Sequence, residues 1–169
     1  GIDKIESQQN DDGHFSLWPG GQVYPHLTAY ALFGLLEAKQ AGARVKPEVI
    51  RRATDALRTY VNQSDRPVYS SEEELATRAM SAWVLARAAS PDVALNSRLF
   101  ESRAGLSMAG TAFLFMALRQ TPAQQALAET LKDELVSRLK VENGVTRVSE
   151  AKAMSAIMSS DARSTAIVL

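Results

Sequence analysis

The sequence predicts an all-α fold in which helical hairpins form part of an α/α toroid, with one short β-hairpin near residues 141–148. Three observations predict it. Apolar residues recur at helical spacing along nearly the whole chain and are interrupted by turn-forming clusters. A small pair followed by bulky apolar residues recurs loosely, as Thr28-Ala29-Tyr30-Ala31-Leu32, Ser81-Ala82-Trp83-Val84-Leu85, Thr111-Ala112-Phe113-Leu114 and Thr165-Ala166-Ile167-Val168-Leu169. Finally, the stretch from Gln9 to Gly21 is a turn with a charged middle and aromatic ends, set just before Leu27-Thr28-Ala29-Tyr30. Gln-x-x-x-Gly-x-aromatic followed by such a helix start ties one helical hairpin to the next.

The elements follow in order. Ile2 to Gln9 reads as the end of a helix, and Asp11-Asp12-Gly13 and Trp18-Pro19-Gly20-Gly21 as a turn and a loop. A helix from about Pro25 to Ala41 carries Leu27, Ala31, Leu32, Leu35 and Leu36 on its apolar side, and Gly42 supplies its stop. Pro47 sits in the first turn of the next, which runs to about Val61 with Val49, Ile50, Ala53, Ala56, Leu57, Tyr60 and Val61 inward. After a loop from Asn62 to Pro67, Ser70 or Ser71 caps a helix whose early Glu72, Glu73 and Glu74 suit a helix N-terminus. Pro91 opens a shorter helix, Gly105 to Leu118 forms another, and Pro122 starts the next. From Lys140 to Ser149 the helical period breaks, and Asn143-Gly144 between β-branched neighbours signals the hairpin. The last helix restarts near Asp161.

The repeat has a physical reading. A Thr/Ser-Ala pair lets two helices approach closely, and the bulky residues after it fill the core. The first two copies start 53 positions apart (28 to 81) and the last two 54 (111 to 165), enough for a helix, a partner helix and their loops. No linker or low-complexity stretch divides the chain, so residues 1–169 are read as one domain. The chain begins at Gly1 rather than Met and finishes on an uncapped apolar run, so both ends read as cut and the sequence as an excised fragment.

Composition narrows the function. Nineteen basic and nineteen acidic residues cancel, leaving no electrostatic footprint for nucleic acid or an anionic membrane. No apolar run approaches the roughly 20 residues needed to span a bilayer. Cysteine is absent, which removes disulfides, Cys-based metal sites and thiol nucleophiles from these residues. Asp11-Asp12 reads as turn chemistry rather than a catalytic or metal-binding pair, since adjacent side chains converge poorly and Asp favours bonds to its own backbone. His14 and His26 lack further ligands at metal spacing. Phe15, Trp18, Tyr24 and Tyr30 are expected to clamp the turn, and Phe113, Phe115 and Met116 to serve as core. No nucleophile elbow, phosphate loop or dinucleotide fingerprint is present. No catalytic, cofactor-binding or metal residue is therefore assigned, and no cofactor is expected.

Ile5-Glu6-Ser7-Gln8-Gln9 through Trp18, then Tyr24-Pro25-His26-Leu27-Thr28-Ala29-Tyr30, resembles the thioester-containing domain of the α2-macroglobulin family, especially its bacterial members. Asp161-Ala162-Arg163-Ser164-Thr165-Ala166 is similar to a later helix start of the same domain. Gln-x-x-x-Gly-x-aromatic also occurs in terpenoid cyclases, which share the toroid. The resemblance implies a non-enzymatic part of a large periplasmic, envelope or secreted host-defence protein that traps proteases when bait cleavage triggers a conformational change. It implies target proteases and other domains of the same chain as partners, with no nucleic acid and no membrane insertion. The family thioester forms from a Cys-x-Glu-Gln motif, which these residues lack; either it lies before Gly1 or the protein has lost it. The acyl-relay histidine of some members would fall around Pro67 to Leu75, where none stands. The alternatives are a toroid enzyme of terpenoid cyclase or prenyltransferase type and a helical-repeat interaction module.

Overall fold

A computed structural model describes residues 1–63, 71–142, 145–148 and 160–169. The described elements are α1 (Ile2–Glu6), α2 (Pro25–Gln40), α3 (Pro47–Asn62), α4 (Ser71–Arg87), α5 (Val93–Glu101), α6 (Met108–Arg119), α7 (Gln125–Ser137), β1 (Lys140–Glu142), β2 (Val145–Arg147) and α8 (Asp161–Val168). The fold is all-α, with one small antiparallel β1–β2 ribbon pairing Lys140 with Arg147 and Glu142 with Val145. Asn143-Gly144, read as its turn, lies outside the described residues, as do Pro67 and Ser70.

Local chemistry sets the boundaries. Pro25 and Pro47 open α2 and α3, where a missing N–H costs nothing. Helix α2 ends as a Schellman motif: Ala43 N–H donates to Ala38 O (2.9 Å), Gly42 N–H to Lys39 O (3.0 Å), and Gly42 takes φ +87°. Helix α4 ends in the same way, with Ser90 N–H on Leu85 O (2.8 Å) and Ala89 N–H on Ala86 O (3.0 Å), but here an alanine holds φ +56°. The sequence reading is corrected at four starts and stops. Helix α1 stops at Glu6, and Gln9 instead pairs with Phe15 in an isolated bridge. Helix α5 is opened by Asp92, whose carboxylate accepts from Leu95 N–H (2.8 Å), rather than by Pro91. Gly105 closes a 3-10 turn, and Ser107 caps α6 by accepting from Gly110 N–H (3.0 Å). Pro122 opens a 3-10 turn (Pro122–Gln124) that leads into α7.

The helices form two rows. Helices α2, α4, α6 and α8 pack side by side in that order, with α4 against α6 the largest contact. Helix α3 covers α2 and α4, α5 covers α4 and α6, and α7 backs α6. The sequence of each helix fits its row. Helix α6 is apolar on most sides, with Ala109, Thr111, Phe113, Leu114, Ala117 and Leu118 buried, as suits a helix flanked on both sides and backed by another. Helix α3 is amphipathic: Ala53, Leu57 and Val61 face the core while Arg51 pairs with Glu48 and Asp55 in solvent. The main core lies between the rows, around Leu32, Leu35, Leu57, Leu85, Leu114 and Leu131. A smaller cluster of Met108, Ala112, Leu135 and Val148 seats the ribbon and α8 against α6.

Candidate functional site

The four inner helices carry the four copies of the sequence repeat, one each. In the first three the small pair is buried: Thr28 and Ala29, Ser81 and Ala82, Thr111 and Ala112. The next residue of every copy, Tyr30, Trp83, Phe113 and Ile167, lines one apolar hollow of about 390 Å³ on the other side of the inner row. Residues one turn away, Phe33, Met80 and Met116, complete it. The rings form a continuous run, with Phe33 and Trp83 centroids 4.7 Å apart and Trp83 stacked on Phe113 at 5.3 Å and 28°. In α8 the pattern slips by one, since the fully buried small residue is Ser164 and Ala166 is exposed.

Arg163 is the charge of this wall. Its guanidinium lies over the rings of Tyr30 (5.3 Å) and Phe113 (6.0 Å) and donates to the Tyr30 hydroxyl. Beside it is a well of about 10 Å³ lined by His26, Thr77, Ser107 and Gly110, and sharing Tyr30, Met80, Phe113 and Arg163 with the hollow. The Thr77 hydroxyl is buried and meets no hydrogen-bond partner among the described residues. Burial holds the His26 pKa below the ordinary histidine value, Arg163 adds to this, and Glu73 opposes it.

The opening turn fastens the inner row to α3. Gln9 Nε2 donates to Gly13 O (3.0 Å) and to Val49 O (2.9 Å) of α3. Arg52 of α3 donates to Asn10 O (2.6 Å), and Phe15 N–H donates to Thr28 Oγ1 of α2 (3.0 Å). Gly13 has φ +87°, and a Cβ there would lie 2.4 Å from Arg52 O. Asp12 accepts from His14 N–H (3.0 Å), the backbone bond expected of a turn aspartate, and His14 Nδ1 meets Thr28 Oγ1 (3.2 Å). Burial lowers the His14 pKa, against the field of Asp12. Among the described residues no group of three or more His, Asp or Glu is placed to hold a metal, and no helix is long and apolar enough to cross a membrane.

Three aromatic and acidic readings change. Phe15 is buried as a clamp should be, whereas Trp18 is 60% exposed. Tyr30 lines the hollow rather than the turn, whereas Phe113 lies in the core as expected, with Met116 packed against it, and both also border the hollow. Glu74 does more than complement the α4 dipole: it is buried, accepts from the Tyr60 hydroxyl (2.9 Å) and pairs with Arg78 (2.8 Å). Arg78 in turn holds Val61 O (3.0 Å) and Gln63 O (2.7 Å), closing the end of α3 onto α4. Sequence reasoning missed Arg163; its signal was a charge four residues before the bulky position of the last repeat.

No family model matches the chain. Among curated proteins it is 28% identical over 120 residues to an alpha-2-macroglobulin of Xylella fastidiosa strain Temecula1, a match covering 68% of this chain and 7% of that one. The chain thus spans about 7% of the length of the curated relatives it matches. Among solved structures it superposes on Salmonella alpha-2-macroglobulin reacted with methylamine, with TM-score 0.81 and 26% identity over 98% of this chain and 11% of that one. Escherichia coli alpha-2-macroglobulin activated by porcine elastase shares the fold at TM-score 0.83 and 22% identity, covering 99% of this chain and 15% of that one. By sequence over two thirds of its length and by fold over nearly all of it, the chain is similar to one portion of the bacterial alpha-2-macroglobulins.

Proposed function

We propose that residues 1–169 form one unit within the thioester-type helical ring domain of a bacterial alpha-2-macroglobulin-like protease inhibitor, a non-enzymatic protein that traps proteases by changing conformation. The observation that carries this reading is the inner wall: four helices present one repeated residue pattern to one concave hollow, on a backbone that follows Salmonella alpha-2-macroglobulin over 98% of the chain. Related structures include E. coli alpha-2-macroglobulin activated by trypsin and by elastase, which supports proteases as the trigger and the partner. Other domains of the same protein are the second class of partner, and the periplasm or cell envelope is the proposed compartment. These residues contain no cysteine, so covalent capture, where it operates, draws its thiol from elsewhere in the protein.

The test uses the full-length protein incubated with trypsin or elastase. Trapping leaves cleavage of a small chromogenic peptide intact, suppresses cleavage of a large protein substrate, and shifts the inhibitor's native-gel mobility. Unchanged cleavage of the large substrate with unchanged mobility overturns the reading. Exposure of a new thiol on treatment with methylamine separates a thioester-bearing trap from one without it.

A further inference from the structure

We propose that the well and the hollow of the inner wall together bind a monocarboxylate with an apolar tail, the carboxylate held between the Arg163 guanidinium and the Thr77 hydroxyl and the tail lying along Phe33, Trp83 and Met116. Three observations carry it. First, Thr77 is only 1% exposed and lines the well, and its buried hydroxyl has no partner among the described residues. A buried hydroxyl is normally hydrogen-bonded, so this one is a donor waiting for an oxygen. Second, Arg163 makes no ion pair with any described carboxylate; its bond to the Tyr30 hydroxyl leaves further guanidinium donors in a planar fork that matches a carboxylate. Third, the well holds about 10 Å³, room for a single oxygen atom, and it shares Tyr30, Met80, Phe113 and Arg163 with the hollow of about 390 Å³. A group with a polar end and an apolar body fits that shape, and the hollow lies in the size range of small-molecule sites.

The proposal does not rest on protease trapping, and its test reads binding alone. Octanoate, octanol and octylamine are titrated into the full-length protein by calorimetry, with Arg163→Met, Arg163→Lys, Thr77→Val and Trp83→Leu variants whose helical content is verified by circular dichroism. Octanoate is expected to bind at least about tenfold more tightly than octanol, with octylamine weakest. Arg163→Met should weaken octanoate about tenfold or more and leave octanol unchanged, and Arg163→Lys should recover part of the loss. Thr77→Val should weaken octanoate several-fold, and Trp83→Leu should weaken octanoate and octanol alike. A second readout is the His26 ring: bound octanoate offsets the field of Arg163, so the His26 pKa followed by NMR with selectively labelled histidine should rise. Absence of octanoate binding, which would mean that the well holds a water only, overturns the proposal. So does equal affinity for octanol, or octanoate affinity untouched by Arg163→Met.

Discussion

Gly13 and Gly42 have the same backbone angle, φ +87°, and different surroundings, which makes them a matched pair for measuring what the opening turn contributes. At Gly42 an added Cβ meets nothing within 4 Å, so Gly42→Ala should show only the left-handed penalty of alanine, about 1 kcal/mol. At Gly13 the same methyl group lies 2.4 Å from Arg52 O, a carbonyl in the middle of α3 that cannot rotate away. Relief requires the turn and α3 to separate by about 0.6 Å, given that real Cβ contacts essentially never fall under 3.0 Å. Three bonds bridge that gap or set it: Gln9 Nε2 to Gly13 O (3.0 Å), Gln9 Nε2 to Val49 O (2.9 Å) and Arg52 to Asn10 O (2.6 Å). Weakening one neutral and part of one charge-assisted bond adds about 2 kcal/mol or more, for a total of about 3 kcal/mol. Amide hydrogen exchange followed by mass spectrometry on the full-length protein reads this locally. Segments 9–16 and 47–54 should exchange about a hundredfold faster in Gly13→Ala, against about fivefold for segment 36–44 in Gly42→Ala. Equal acceleration in the two variants would refute the claim that the turn is fixed by its approach to α3.

The converse substitution applies at the end of α4: Ala89→Gly should slow exchange of residues 85–90 several-fold, a gain of about 0.5–1 kcal/mol, because Ala89 holds φ +56° at the position Gly42 occupies in α2. An unchanged exchange rate would mean that this conformation carries no strain. Arg78→Met should accelerate exchange at the α3–α4 junction by an amount equivalent to about 3 kcal/mol, since it removes the cation paired with the Glu74 carboxylate, whose side chain is 10% exposed. Adding Glu74→Gln should restore part of that loss, and a purely additive double variant would count against the pairing. Acid should weaken the fold in two stages. His14 and His26 both have lowered pKa values, so the folded protein binds fewer protons than the unfolded chain, and their stabilisation is intact above pH 6.5 and lost as pH falls below it toward the folded values. Glu6, held low by the backbone N–H and side chain of Lys46, keeps its contribution above pH 4.5 and loses it as pH falls through its lower folded value. Local exchange in segments 1–16, 24–30 and 44–50, compared between neutral and acid pH after correction for the intrinsic rate, measures both stages; no change in the corrected values would refute the assignment.

The row structure was legible because it rests on short-range rules. Periodicity located the helices, and Pro25, Gly42 and Pro47 marked boundaries through backbone constraints that hold in any context. The repeat located the inner helices because the small pair is buried in the first three of them. Helix starts built on side-chain caps were harder: Asp92 and Ser107 each stand near a proline or glycine that drew the boundary a few positions away. The long-range partnerships were not legible. Glu74 looked like one of three equivalent glutamates, and only the distance from α3 to α4 makes it the acceptor of Tyr60 and the partner of Arg78. Trp18 and Tyr30 were grouped by proximity in sequence, but the turn sends the first into solvent and α2 sends the second to the hollow. Arg163 could be recognised as part of the wall only once α8 had been placed against α6.

The repeat separates two requirements that a curved helical wall must meet together. Successive residues on a helix are about 100° apart, so a buried pair such as Ala82 and its predecessor can face neighbouring helices while the next residue turns to the concave side. The small pair then governs how near the helices come, and the third residue sets what the hollow offers. The two can vary independently: enlarging Ala29, Ala82 or Ala112, all 2% exposed or less, must push apart helices that share a core, whereas Tyr30, Trp83, Phe113 and Ile167 differ in size and chemistry within one unbroken row. Arg163 extends the same logic. One turn before Ile167 it places a cation on the aromatic wall, over Tyr30 and Phe113, without entering the helix–helix contact where Ser164 is buried. The wall can therefore acquire recognition chemistry while the spacing of its helices stays fixed, which is why the binding site proposed above falls on the third positions and the turns beside them and not on the buried pairs.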